Sequence, residues 1–369
     1  MTLQSSGNPI SFNQIRGEFG NGTNRLGQYR RDDSSFGNKN VGDLANMPLD
    51  TNIPVSGQIK FSDFYGKSLN VVVNYHSGSA ENRPEHAHDR YSAAATVTGT
   101  SNDKWNVVGG YRNPPTNSGG TKVKIHVNKT IGSANDTNEN ICALRTGAEW
   151  STGTMLSVDV GDSGRISGGG GNGGAAGGNA ASGNDGQEGT SGLGIQYGTD
   201  ANETTVNLNS SGVIVCGFGG GGAGSGAEDT DDEGFLNFED EDHVGSGGPG
   251  GGGAGVPAGS GGSTALGGNA AGSGNATSGG GGGTGGTGSG SSGNAVGGTG
   301  GRGGDVNDSA LGGGNAVEGE TSGAAGDPGG NGAAIRRTSN SIKWAFGSNS
   351  GTVTGSGAGG EGESPTGVD

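Results

Sequence analysis

The densest chemistry in the chain is the acidic island GAEDTDDEGFLNFEDEDHVG, residues 226–245, set between two glycine tracts. Asp229, Asp231, Glu233 and Gly234 follow the opening of a calcium loop of form D-x-D-x-[DN]-G, and Leu236, Asn237 and Asp240 fall near its later positions. Glu233 and Asp240 depart from the EF-hand pattern and no helix can flank the segment, so a solvated acidic loop competes with calcium binding. Phe235, Leu236 and Phe238 put three large apolar side chains among the acids, with only glycine nearby to cover them. Such a patch at a loop tip marks a binding surface, and with Asp240 it forms the candidate contact site; packing onto a neighbouring β-region is the competing expectation.

Other candidates are thinner. EHAHDR places His86 and His88 on one face of an extended segment with Asp89 beside them; two imidazoles are a thin basis for a metal site, and a polar loop is the competing expectation. GDSG at 161–164 matches a serine-protease tetrapeptide by letters alone and has no histidine partner motif. Gly66-Lys67-Ser68 lacks the earlier glycine of a phosphate loop, because Phe61 stands there. With no nucleophile, base and oxyanion set, the chain reads as a non-enzyme without cofactors, calcium excepted. Cys142 and Cys216 have no metal-type spacing and are expected as two buried thiols, with one bridge as the alternative.

The elements that must hold these residues are unusual, because 91 of the 369 residues are glycine and only 27% are hydrophobic. A single conventional core is excluded. The formal charge of −16 repels phosphate backbones, which removes nucleic acid as a partner. The start MTLQSSGNPISF has no basic segment followed by an apolar stretch, so the chain is expected to be made in a cytosol and to leave it by another route.

Near the amino end ISFNQIRG (10–17) and IKFSDFYG (59–66) share the form I-x-F-[NS]-[QD]-[IF]-x-G. Ser11 and Gln14 have capping-box spacing, so Phe12, Ile15 and Phe19 are expected on one side of a helical turn. Ile10, Phe12, Ile15, Ile59, Phe61 and Phe64 are the apolar set: either two turns packing on each other or an anchor for a partner.

From 69 to 165, short alternating runs separated by turn residues are expected to form a small β-sandwich, with Trp105, Tyr111, Ile125, Val127, Leu144 and Trp150 in its core. Three stretches then repeat one design: LSVDVGDSGRISGGGG, VNLNSSGVIVCGFGGGG and IKWAFGSNSGTVTGSG all run apolar strand, Ser-Gly, β-branched positions, glycine. That recurrence implies a repeated supersecondary unit. Glycine tracts are flexible tethers by default. Here they are punctuated by Ala, Asn, Thr and strands, so order is expected, with backbone groups supplying the cohesion. Extended threefold helices can pack side by side when Cβ atoms are absent; a run of about ten residues would span about 31 Å, and the joining loops would gather at two opposite faces. Irregular glycine spacing and scarce proline exclude collagen.

GAEWSTGTMLSVDVGDSGRISGGGGNGG, SSGVIVCGFGGGG and GGNGAAIRRTSNSIKWAFGSNSGTVTGSG resemble the glycine-rich tail-fibre and tip-adhesin proteins of tailed bacteriophages, and PISFNQIRGEFG and GQIKFSDFYG are similar to motifs near the start of phage virion proteins. The resemblance implies a polyglycine II-type display domain (166–369) carrying host-binding loops and an N-terminal virion-anchoring segment (1–68); the small β-sandwich (69–165) read from the residues lies between them, in a chain expected to be mainly β. It also implies a virion location, other virion proteins as partners of the N-terminal segment, and a host glycan or outer-membrane protein as the target of the loops. A homo-oligomer, a trimer, belongs to the same expectation. A purely architectural role in the particle is the alternative.

Overall fold

The computed structural model describes residues 3–19, 25–30, 53–54, 56–67, 70–76, 81–82, 84–89, 118–134, 138, 140–231, 241–265, 268–289, 294–306, 308–339 and 341–355. The chain builds three bodies of structure, each held together differently.

At the amino end the two motif copies become a short helix, Phe12–Phe19, and a 3-10 turn, Phe61–Phe64. Their equivalent residues do the same work: Gln14 accepts the N–H of Ser11 at 2.7 Å, and Asp63 accepts the N–H of Lys60 at 2.7 Å. Ser11 Oγ returns the favour to the N–H of Gln14 at 3.2 Å, completing the capping box. The copies also meet through their phenylalanines, Phe12 lying edge-on to Phe61 at 6.2 Å. Beneath them Leu3, Ile15, Tyr29, Ile53 and Phe64 form a small core.

The second body is mainly β, as expected, but it is not a sandwich. Strands Asn70–His76, Lys122–Asn128, Met155–Val160, Thr204–Leu208 and Trp344–Asn349 make one five-stranded sheet, and every pair in it is parallel. Glu81–Asn82, Thr130–Gly132, Arg165–Ser167, Val213–Val215 and Thr352–Thr354 make a second parallel sheet. Glu85–His86, Cys142–Arg145, Ser191–Ile195 and Ile335–Arg337 make a third. Chain order visits the sheets in rotation, so the body is a three-sided parallel solenoid whose rungs stack on one another. Like residues align vertically: Ile125, Val158 and Val206 in the first sheet, Ile131, Ile166 and Ile214 in the second, and Leu144, Leu193 and Ile335 in the third. All are buried in a single apolar column, which Trp150 and Trp344 join.

Alternation in a strand is the same whether its neighbour runs parallel or antiparallel, which is why sandwich and solenoid look alike at the level of the residues. The boundary expected at 165 falls at the first residue of the strand Arg165–Ser167, and the solenoid continues to Thr354. Among the expected core residues Ile125, Val127, Leu144 and Trp150 are buried as anticipated; Trp105 and Tyr111 lie outside the described residues.

The third body is inserted into the second. After Arg165–Ser167 and again after Val213–Val215 the chain leaves the solenoid, and it re-enters at Ser191–Ile195 and Ile335–Arg337. The excursions form ten extended rods, 168–178, 182–190, 217–226, 246–254, 257–263, 268–275, 278–286, 297–304, 311–316 and 323–332. Lateral backbone bonds recur every third residue: the N–H groups of Gly171, Gly174 and Gly177 donate to the carbonyls of Phe218, Gly221 and Gly224, and those of Gly247, Gly250 and Gly253 to Gly177, Gly174 and Gly171. A three-residue repeat without internal bonds belongs to a threefold extended helix.

The rods stack three layers deep. Rod 217–226 bonds laterally to six others, 168–178, 182–190, 246–254, 297–304, 311–316 and 323–332, and rod 246–254 also has six such neighbours. In rod 217–226 most positions admit only glycine, because a Cβ there would run into a neighbouring carbonyl. Ala223, Ser225 and Phe218 depart from that rule. Phe218 sits at the base with Val215, Cys216 and Ala254, and Ser225 Oγ accepts the N–H of Ala316 at 2.8 Å.

The junctions answer what a strand running into glycine accomplishes. Ile166 pairs with Ile214 and Ser167 with Val215 in the sheet, and the next bond, Gly168 N–H to Val215 carbonyl at 3.0 Å, already belongs to the rods. Neighbouring strands thus continue as neighbouring rods in the same direction. The repeated strand–glycine unit of the sequence is two consecutive sides of a rung, a first-sheet strand followed by a second-sheet strand, recurring in successive rungs.

Candidate functional site

Rod direction sorts the connections into two ends. Rod 168–178 starts at the solenoid, so the links 254–257, 275–278 and 304–311 lie at the base, with 178–182, 227–245, 263–268, 286–297 and 316–323 at the far end. The base is tied down: the N–H of Ser133 donates to Val256 at 2.8 Å, and the Arg165 guanidinium donates to the Ala276 carbonyl at 2.8 Å. Among the described residues, these ties do not reach the far end.

The described flanks of the acidic island, 226–231 and 241–245, lie at that far end. Ala227–Asp231 and Glu241–Gly245 form an antiparallel hairpin, with Asp229 opposite His243 and Asp231 opposite Glu241. Thr321–Ser322 adds a third strand, and a second hairpin, Thr287–Ser289 with Asn294–Val296, stands beside it. Asp229 and Asp231 of the calcium candidate are therefore strand residues paired across a ladder; Glu233 and Asn237 lie outside the described residues. Phe235, Leu236, Phe238 and Asp240 of the receptor candidate also lie outside them. Among the described residues no group of three His, Cys, Asp or Glu is placed to hold a metal ion. Cys142 and Cys216 are both buried and are not joined in a disulfide.

Of the anchor candidates, Ile15 and Phe64 are fully buried, Ile10, Phe12 and Ile59 pack half-buried around them, and Phe61 is exposed. Five of the six make the module's own core. Phe61 is what remains on its surface.

The two histidines converge on one carboxylate. His86 Nδ1 lies 3.4 Å from Asp89, and Glu149 reaches His88 Nδ1 at 3.7 Å and His86 Nε2 at 4.0 Å. His88 stands edge-on to Trp150 at 4.8 Å. Gly147, with φ of +89°, passes so close to His88 that a Cβ there would overlap it. Burial lowers the His88 pKa below its ordinary 6.5 and outweighs the attraction of Glu149. Burial works to raise Glu149, but its own N–H, that of Ala148 and the two histidines hold it below the ordinary carboxylate value. Both shifts destabilise on acidification. For His88 the contribution is whole above pH 6.5 and is lost as pH falls towards its lowered folded value; for Glu149 the loss begins below 4.5. The melting temperature of the solenoid is expected to fall from pH 7 to pH 5, and His88→Gln should flatten that part of the curve. An unchanged slope in the variant would remove His88 as its source. Sequence inspection could find this pair from EHAHDR, but nothing in the sequence announces Glu149.

No family model matches the chain, and no curated protein matches it. Among solved structures it is similar to the gp37–gp38 adhesin tip complex of the bacteriophage S16 long tail fibre. Identity is 15% over 95% of this chain and 100% of that one, with a TM-score of 0.32. A likeness that distant carries no function with it.

Proposed function

We propose that the chain is a bacteriophage virion protein of the tail-fibre adhesin kind, attaching the particle to its host through the far-end connections of the glycine lattice. The carrying observation is the sorting of the connections: five gather at the end away from the solenoid, on rods whose cohesion comes from main-chain bonds. Such a scaffold leaves the connecting residues free to be chosen for contact. The strand–glycine junctions and the N-terminal motifs, similar to those of phage virion proteins, support the same reading. In it the N-terminal module faces the rest of the particle, and the target is a surface glycan or outer-membrane protein. Binding is polyvalent, so weak contacts add through effective concentration. The role is recognition without catalysis, and a homo-oligomer would multiply it.

The test compares fluorescently labelled full-length protein with a variant in which 229–242 is replaced by a short Gly-Asn turn, each mixed with permissive cells. Cell-surface binding is expected to drop by at least about tenfold, the scale of lost anchor residues in an interface, with the melting curve unchanged. Equal binding by both proteins would remove the acidic hairpin from recognition. Absence of binding by either would favour an architectural role.

A further inference from the structure

The outward face of the first solenoid sheet carries a concavity of about 410 Å³, well away from the far-end connections and within the range of small-molecule sites. Its walls include Lys122, Met155, Ser157, Asn202, Glu203 and Thr205. The solenoid makes this grid automatically, since outward residues of successive rungs stand in rows: Lys122 beside Met155, then Lys124, Ser157 and Thr205 side by side. A second concavity of about 260 Å³ opens along the same face, lined by His126, Asp159, Asn207 and Ser348. Between them runs a fixed polar ridge. Lys124 Nζ pairs with Asp159 at 2.8 Å, Asn207 Nδ2 donates to the other Asp159 oxygen at 2.7 Å, and the N–H of Ser348 donates to Asn207 at 2.9 Å.

The chemistry of this face differs from that of the chain. Against a net charge of −16, its charged groups balance, Lys124 against Asp159 and Lys122 against Glu203. Hydroxyls of Ser157 and Thr205 and the amide of Asn202 supply both donors and acceptors. Met155 is 37% exposed and supplies one adaptable apolar contact in the middle. A balanced, hydroxyl-rich trough with one soft apolar spot suits a ligand that is neutral, rich in hydroxyls and has an apolar C–H face. Nucleic acid would require excess cation, and a peptide strand would require an unpaired sheet edge instead of a sheet face.

We infer that this face is a second binding site, for a neutral oligosaccharide lying across the rungs. It is separate from the far-end site and does not depend on it. Purified full-length protein should be screened against an array of neutral hexose and N-acetylhexosamine oligosaccharides, from disaccharides to hexasaccharides, followed by calorimetric titration of the best ligand. Binding is expected, with Thr205→Trp, which fills the trough, weakening it at least about tenfold. Thr352→Trp, an outward substitution on the second sheet, controls for the fold and should bind as the parent does. The protein with 229–242 replaced should also bind as the parent does. No bound member of the array, equal binding by Thr205→Trp, or loss of binding on replacing 229–242 would each overturn the inference.

Discussion

Gly250→Ala is expected to unfold the glycine lattice, while Gly281→Ala should leave it intact. Gly250 lies in one of the two rods with six lateral neighbours, and a Cβ on it would land on the backbone carbonyl of Gly221. No flexible side chain is there to move aside; only the rods can part. Each lateral bond is worth about 1 kcal/mol net, comparable with the backbone entropy of about 1–2 kcal/mol that ordering one residue costs. A single rod therefore has no stability of its own, and separating two rods removes the support of several. A loss above about 4 kcal/mol is expected, the range reserved for severe overpacking and broken networks. At Gly281 an added Cβ meets no atom within 4 Å. Alanine there should fall within about 0.5 kcal/mol of the parent. Thermal unfolding with amide hydrogen exchange over 246–265 reads both variants. A Gly250→Ala protein with parental protection would mean that the lattice is not close-packed through its main chain.

Phe64→Ala should unfold the N-terminal module and spare the rest. Phe64 is fully buried, lies edge-on to Tyr29 at 6.2 Å, and is one of five buried residues of that core among the described residues. Truncating a buried phenylalanine costs about 3–5 kcal/mol. A module of this size holds about that much in total. Limited proteolysis should then cut within 3–19 and 56–67 while 140–231 and 241–265 stay resistant. Phe61→Ala separates anchoring from folding, because Phe61 is 41% exposed and its loss leaves the core complete. If the module docks on another virion protein, Phe61→Ala should fold normally yet be incorporated less into particles; parental incorporation would exclude Phe61 from the docking surface.

How much of this was visible beforehand differs from element to element. Ser11 and Gln14 announced the capping box because capping is local and its spacing is fixed. The strand–glycine repeats were visible because the second side of successive rungs carries the same inward isoleucine, as at Ile166 and Ile214. Their arrangement as rungs was hidden, since the long glycine excursion to Ile335 separates segments that stack directly in space. Pairing direction leaves no mark on a strand such as Met155–Val160, whose alternating burial serves either topology. The grid of Lys124, Ser157 and Thr205 was invisible for the same reason: it exists only once the register between rungs is known.

The way strands pass into rods has a mechanical consequence. A cell pulling on the far-end hairpins would apply tension along the rods, so whole files of lateral bonds would be sheared together instead of being peeled apart one by one. That tension would enter the solenoid through four separate chain crossings, at Ser167, Ser191, Val215 and Ile335. A receptor-bound tip built in this way would resist detachment by stretching far better than a domain hung on a single linker.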